Sequence, residues 1–176
     1  MKPYQQFPFQ YSLHVCHEDV DSEHFEYLHP DLSDPRPPLL EFLTKNIVDH
    51  GSVVVYSASF ERGVLSDLAE FAPHYAPALN SILNRLEDQK DIFKNHYNHP
   101  GSLGSLSLKS VLPVIAPSLN YEGLNIRGGS DAGAVWERMI NSTDEAQKSQ
   151  MAADLKAYCT MDTLAMVEIH KALLKL

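Results

Sequence analysis

Residues 52–61 read Ser52-Val53-Val54-Val55-Tyr56-Ser57-Ala58-Ser59-Phe60-Glu61 and join two different patterns. The β-branched run shows no polar alternation, which predicts a central strand covered on both faces. The residues that follow predict a helix that ends at Pro73, with apolar positions at helical spacing at Val64, Leu65, Leu68 and Phe71. A strand that leads directly into a helix indicates an α/β protein.

Glu61 stands just past the predicted strand, in the first turn of the predicted helix. Open α/β sheets place ligand-binding groups at this point, so Glu61 is a candidate site residue. A carboxylate in the first turn of a helix also interacts favourably with the helix dipole. A purely structural role therefore competes on equal terms.

The residues before this unit predict a hairpin and a helix. Apolar and polar residues alternate over residues 7–14 and again over residues 23–28, which favours two paired strands. After a proline-rich entrance at residues 35–38, a helix is predicted as far as Gly51, with its apolar positions at Leu39, Leu40, Phe42, Leu43, Ile47 and Val48.

The residues after it predict mainly helices. A second helix extends to Leu86, residues 91–93 form a short strand, and residues 107–112 form another helix. Residues 131–176 are helical apart from a turn at residues 141–144. Strands early in the chain and a helical C-terminal half predict an α/β three-layer sandwich.

Composition and charge limit the function classes. The chain has 176 residues, 44% of them hydrophobic and 21% charged, which predicts a single globular domain over residues 1–176. No apolar run approaches the roughly 18 residues that cross a bilayer, and two cysteines fit a reducing compartment, so a cytoplasmic location is expected. The net charge of -9 provides no basic field, so nucleic-acid binding must be local or metal-mediated.

Tyr158 and Asp162 lie four residues apart on the predicted C-terminal helix, so both project from one face. That face is otherwise apolar, and burying an aspartate there requires a positive or hydrogen-bonding partner. A divalent metal is one such partner. From these residues alone, a boundary aspartate that is hydrogen-bonded by Thr163 or a backbone amide is the simpler explanation.

The combination of motifs resembles a known superfamily. A strand followed by Ser57-x-x-Phe60-Glu61 and a helix, and far downstream by Tyr158-x-x-x-Asp162, resembles the second and third motifs of DEDD-type 3′-5′ exonucleases in their tyrosine variant. Nearly the whole chain is similar to a bacterial family of uncharacterised domains predicted to be such exonucleases. The stretches that carry this similarity are Pro8-Phe9-Gln10-Tyr11-Ser12-Leu13-His14, Asp34-Pro35-Arg36, Val55-Tyr56, His99-Pro100-Gly101, residues 104–113 and Tyr158-Cys159-Thr160-Met161-Asp162-Thr163.

The resemblance implies a ribonuclease-H-like fold with a mixed sheet, and a catalytic site. Asp162 and Glu61 would be ligands of two Mg²⁺ or Mn²⁺ ions, and Tyr158 would position the attacking water. The positions that would contact a DNA or RNA substrate are Ser57, Phe60, Ser107 and Lys109. For any one lysine, ordinary solubilising charge is the competing explanation.

Three departures from the superfamily pattern matter. Ser57 stands where the family has Asn, and Glu61 where most of the wider superfamily has Asp. The first motif, an Asp-x-Glu on the first strand, should precede Tyr4 and is absent from this chain. We therefore expect a fragment of a longer protein that lacks the first strand and is incomplete as an enzyme.

Other functions remain open from the sequence. A non-catalytic module of the same fold would bind protein or nucleic acid, and a dimerisation domain would pair through a strand edge exposed by the missing strand. A zinc site built on His14, Cys16 and His17 together with His24 or His29 is the weaker hypothesis, because His14 and Cys16 share one face of a strand while His17 points away.

Overall fold

The computed structural model describes residues 7–17, 20–97, 99–102 and 104–175. Within these residues the protein is mixed α/β, as predicted, with two small sheets and a largely helical second half. Residues 18–19, at the tip of the predicted hairpin connection, lie outside the described residues. The first motif would precede Tyr4, so its position also lies outside them.

The first sheet is the predicted hairpin. Strands β1 (Gln10–His17) and β2 (Val20–Leu28) pair antiparallel, with Gln10 opposite Leu28 and an irregularity between Val15 and His17. Because side chains alternate along each strand, one face of the hairpin points towards one helix and the opposite face points towards another.

The second sheet contains the β-branched run. Strands β3 (Val53–Val55) and β4 (Leu86–Asp88) pair in parallel, with Val55 opposite Asp88. The prediction that β3 is covered on both faces was wrong for Val54, whose side chain is 40% exposed. Neighbouring residues of a strand point to opposite faces, and among the described residues the face of Val55 is covered while that of Val54 is not.

Seven α-helices lie within the described residues. They are α1 (Arg36–Asn46), α2 (Ala58–Phe71), α3 (Ala76–Asn84), α4 (Lys90–Asn95), α5 (Leu108–Ile115), α6 (Gly129–Asn141) and α7 (Glu145–Leu173). The carboxylate of Asp144 accepts hydrogen bonds from the main-chain N–H groups of Ala146 and Gln147, which defines the start of α7 after the predicted turn.

Three local predictions in the middle of the chain were wrong. Leu86 belongs to β4 rather than to the preceding helix, because it pairs with Val53. Residues 91–93 lie in α4 rather than in a strand, since the strand partner of β3 comes five residues earlier, at Leu86. Helix α5 continues through Pro113, where a proline omits one main-chain hydrogen bond.

The apolar side chains form three clusters. Cluster one joins α1, α2, α3, β3 and β4. Cluster two joins α4 and α5 to Ala165 and Ile169 of α7, and cluster three joins α6 to Leu155 of α7. Helix α7 thus contributes fully buried residues to two of the three clusters.

The hairpin lies between two helices. On one face, Asn46 at the end of α1 donates a hydrogen bond to the Tyr11 hydroxyl at 2.8 Å. On the other face, the hydroxyls of Ser12 and Thr163 of α7 are 2.7 Å apart. Among the helices of the described residues, none combines the length and apolar composition that a bilayer crossing requires.

Candidate functional site

Asp162 lies at the centre of a polar cluster on α7. Its Oδ1 accepts a hydrogen bond from the hydroxyl of Tyr121 at 2.7 Å, and Tyr158, one turn earlier on α7, donates a second. The spacing of Tyr158 and Asp162 that was noted in the sequence therefore produces a direct contact. Tyr121 was not predicted, and it comes from the irregular segment between α5 and α6.

Burial and hydrogen bonding act on Asp162 in opposite directions. Burial raises the pKa of the Asp162 carboxyl, and the hydrogen bonds from Tyr121 and Tyr158, together with the charge of Lys109, lower it without cancelling that rise. Burial, followed by the proximity of Asp162, also raises the pKa of both tyrosines. The phenols therefore remain hydrogen-bond donors over the physiological range.

Lys109 is the cation of this cluster. Its ammonium group lies 4.9 Å from the ring centre of Tyr121 and 5.0 Å from that of Tyr158, and it donates to the carbonyl of Arg127. The position follows from the start of α5, where the Ser107 hydroxyl caps the helix by accepting from the N–H of Ser110. Of the predicted substrate contacts, Lys109 thus lies over the two tyrosines beside Asp162 and acts on that carboxyl through its charge, while Ser107 serves as a helix cap.

A second polar group lies at the ends of β3 and β4. The Asp88 carboxylate accepts hydrogen bonds from the main-chain N–H groups of Ser57, Ala58 and Lys90 at 2.8–3.0 Å. Burial raises the pKa of Asp88, but these three donors and the charge of Lys90 bring it below its ordinary value. Ser57 itself has a φ of 78°, a left-handed conformation that is unfavourable for a residue other than glycine.

Glu61 follows one turn into α2. Its Oε2 is buried and has no hydrogen-bond partner among the described residues, whereas its own main-chain N–H stabilises the carboxylate. Burial, and then the charge of Asp88, raise the pKa of Glu61. A buried carboxylate oxygen without a donor is costly, so this oxygen is suited to a cation or a hydrogen-bond donor that the described residues do not supply.

Gln89 connects this end of the sheet to α7. Its side-chain amide donates to the carbonyl of Met166 at 3.0 Å, and its Oε1 is buried and unpaired within the described part of the chain. Met166 lies one turn after Asp162 on α7. Phe60, the remaining predicted substrate contact, is 55% exposed beside Glu61 on α2.

The two predicted metal ligands occupy different surroundings. Asp162 is affected by Tyr121, Tyr158 and Lys109, and Glu61 by Asp88. Within residues 7–17, 20–97, 99–102 and 104–175, no group of three or more His, Cys, Asp or Glu side chains is placed to hold a metal ion.

The described residues therefore do not fit the site of two ions and four carboxylates that the resemblance implies. Mg²⁺ and Mn²⁺ require several oxygen ligands, and Oδ1 of Asp162 already accepts a hydrogen bond from Tyr121. Among the described residues, two buried side-chain oxygens have no hydrogen-bond donor, Oε2 of Glu61 and Oε1 of Gln89.

The weaker zinc hypothesis receives no support from the described residues. The ring of His14 stacks on that of His24 at 4.5 Å, and its Nδ1 lies 2.9 Å from the Thr163 hydroxyl. His17 instead lies 3.8 Å from Glu23. His14 and His17 therefore have different neighbours.

Two site residues were missed by sequence reasoning. Asp88 carries a local signal, since an aspartate two residues before Lys90 forms a common turn by accepting its N–H. Tyr121 carries none, because its contact with Asp162 spans 41 residues and follows no periodic pattern.

Comparison with known proteins places the chain in a family. Residues 1–107 match the sequence model of a domain of unknown function, DUF2779, and the chain therefore belongs to this family. The match includes Ser57, Glu61 and Ser107, whereas Lys109, Tyr158 and Asp162 lie beyond it.

Similar proteins occur in two Mycoplasma species and in Ureaplasma parvum. The chain is 34% identical over 146 residues to an uncharacterised protein of Mycoplasma pneumoniae, which covers 75% of this chain and 22% of that protein. It is 28% identical to an uncharacterised Mycoplasma genitalium protein, and the match covers 95% of this chain and 28% of that protein. It is also 28% identical to an uncharacterised Ureaplasma parvum protein, and this match covers 71% of this chain and 21% of that protein. The chain thus spans less than a third of the length of these relatives. No solved structure matches it.

Proposed function

We propose that this chain is part of a ribonuclease-H-like, DEDD-type 3′-5′ exonuclease domain that hydrolyses phosphodiester bonds of DNA or RNA. The observation that carries the proposal is the pair of Tyr158 and Asp162, one turn apart on α7, in which the tyrosine stabilises the buried carboxylate. A tyrosine beside a carboxylate at this spacing is what the third motif requires.

The end of β3 supports the proposal independently. Glu61 lies just past a parallel strand, at the edge where open α/β sheets bind ligands, and one of its oxygens is buried without a partner. The left-handed Ser57 beside it is a second unusual feature, because strained backbone is often found at functional sites.

The proposal includes the Mg²⁺ or Mn²⁺ dependence that the resemblance implies. Since the described residues do not form a metal site, the remaining carboxylates must come from other parts of the protein. The contribution of this chain would be two of the carboxylates, together with Tyr158 and the cation of Lys109.

The test is nucleotide release from a 3′-labelled single strand with Mg²⁺ or Mn²⁺, using the protein at the full length that its gene encodes. Asp162→Asn is expected to abolish release. Asp154→Asn is the matched control, because Asp154 lies two turns earlier on α7 and accepts hydrogen bonds from Asn125 and Gln150 at the surface. Equal activity of the two variants, with both folded, would refute the assignment of Asp162.

A second candidate is a non-catalytic module that binds a protein or nucleic acid. The observation that favours it is that two phenols and the charge of Lys109 stabilise the Asp162 carboxylate, which accounts for its burial without any metal. On this alternative the full-length protein releases no nucleotides with either metal, and Tyr121→Phe lowers only the stability of the fold.

A further inference from the structure

A groove lies between the start of α1 and the end of α2. Its volume is about 550 Å³, within the range of protein sites that bind ligands. Pro37, Pro38 and Glu41 of α1 line one side of it, and Phe71 of α2 and the 3₁₀ turn Pro73–Tyr75 line the other. None of these residues takes part in the two polar groups described above.

The surface of the groove is mainly apolar and is formed by rigid side chains. Two further lining residues, Leu40 and Ala72, are buried and belong to cluster one, so the groove opens onto the core. Phe71 keeps 39% of its surface exposed, although the guanidinium of Arg36 lies 3.6 Å from its ring centre. Prolyl and aromatic rings have few rotamers, so little side-chain entropy is lost when a ligand covers them.

The start of α1 does not favour an anion. A helix N-terminus attracts anions through N–H groups that have no partner within the helix. Residues 37–38 of α1 are both proline and have no N–H. The N–H of Arg36 donates to the Asp34 carboxylate, which also pairs with the Arg36 guanidinium at 2.6 Å. The N–H of Leu39 donates to the carbonyl of Pro35. Phosphate groups, and therefore nucleic acids, are poorly matched to this surface.

The remaining polar groups favour a cation. Glu41 is exposed on the side of the groove, and its carboxylate makes no hydrogen bond or ion pair with another described residue. Helix α2 ends at Phe71, and Pro73 has no N–H with which to continue it. The carbonyl groups of the last turn therefore carry the partial negative charge of a helix C-terminus. A ligand with an apolar body and a positive group is complementary to this groove.

We propose that the groove binds an extended, proline-rich segment of a partner protein, with an arginine of that segment beside Glu41. Such segments hold the polyproline II conformation before they bind, and they dock on grooves lined by aromatic rings. Prolyl rings of the segment pack on Phe71 and Tyr75, and the arginine pairs with the Glu41 carboxylate. The net charge of -9 also favours a basic partner. This binding does not require nuclease activity.

The experiment measures binding of a fluorescein-labelled peptide, Pro-Pro-Leu-Pro-Pro-Arg, to the full-length protein by fluorescence anisotropy. A copy with glutamate in place of the arginine is expected to bind about tenfold more weakly, because it meets Glu41 with a like charge. A copy with glycine in place of every proline keeps the charge but loses the preformed conformation. It is also expected to bind about tenfold more weakly.

A charge exchange on the protein locates the binding at the groove. Glu41→Lys is expected to weaken the arginine peptide by about tenfold and to strengthen the glutamate peptide by about the same factor. Because the Glu41 carboxylate has no partner among the described residues, the variant should keep its fold, which circular dichroism checks. Glu137→Lys is the matched control, since Glu137 is an exposed glutamate of α6, and it should change neither affinity.

Any of four results would overturn the assignment. The first is the absence of binding by the arginine peptide, and the second is equal affinity for the arginine and glutamate peptides. The third is a Glu41→Lys protein that still prefers the arginine peptide, or a Glu137→Lys protein that loses as much affinity as Glu41→Lys. The fourth is a dimer whose formation excludes the peptide, which would assign the groove to a second copy of the chain.

Discussion

Asp88 Oδ1 lies 2.9 Å from the main-chain nitrogen of Ser57, so the carboxylate at the end of β4 holds the residue at which the chain leaves β3 for α2. The same carboxylate accepts from Ala58 through its other oxygen. A charged acceptor at the N-terminus of a helix satisfies N–H groups that have no partner within the helix. The left-handed Ser57 is therefore maintained by a contact from a distant strand.

Asp88→Ala is expected to lower the free energy of unfolding by about 2 kcal/mol, because it leaves three main-chain N–H groups without their charged acceptor. Urea unfolding followed by circular dichroism measures the change. Glu87→Ala, at the exposed neighbouring position of β4, is the control and is expected to have little effect. Equal losses in the two variants would contradict the capping role.

Ser57→Gly is expected to raise the free energy of unfolding by about 1 kcal/mol, because glycine adopts a positive φ without the steric cost of a Cβ. Ser59→Gly, two residues later inside α2, is expected to lower it by about 1 kcal/mol. Thermal and urea unfolding of the two variants should therefore show shifts of opposite sign. A loss of stability in both would show that Ser57 is not strained.

Glu61→Gln is expected to stabilise the protein at pH 7. Because burial raises the pKa of Glu61 in the folded state, the stability that this group contributes is fully present below its ordinary pKa of 4.5 and is lost as pH rises through the folded value. The glutamine variant avoids that loss. Urea unfolding at pH 4 and pH 7 should show a gain only at the higher pH, and Glu41→Gln on α1 controls for the general effect of removing one carboxylate.

Tyr121→Phe is expected to raise the pKa of Asp162 further, because it removes a donor that stabilises the carboxylate while most of the burial remains. The ¹³C chemical shift of the Asp162 carboxyl group, followed across a pH titration, measures this directly. Tyr97→Phe, a change of the same kind in cluster two, should leave the titration unchanged. A lower or unaltered value in Tyr121→Phe would place the main stabilising interaction elsewhere.

The strands and helices that follow a periodic pattern were predicted from the sequence. The hairpin alternation gave β1 and β2, and the apolar spacing gave α1 and α2, because these patterns reflect burial of one side of a local segment. Residues 86–93 were predicted wrongly. Whether Leu86 extends a helix or forms a strand depends on its pairing with Val53, which lies 33 positions earlier and leaves no local signature.

In the candidate site, too, features with a local sequence pattern could be predicted and contacts between distant residues could not. Tyr158 and Asp162 could be paired from their spacing on one helix, and Glu61 from its place after a strand. The partners that determine their environment could not, since Tyr121 contacts Asp162 across 41 residues and Asp88 contacts Ser57 across 31. The predicted proximity of Glu61 and Asp162 stays a prediction, because each lies among different neighbours.

The length of α7 has a consequence for how the domain loses its structure. The helix provides Leu155 to cluster three and Ala165 and Ile169 to cluster two, and its hydroxyl and carbonyl groups bond to β1 and to the residue after β4. Any opening that separates α7 from the rest breaks contacts in all of these regions together. The chain should therefore unfold in one cooperative transition, with the amides of α7 exchanging at a common rate set by global unfolding.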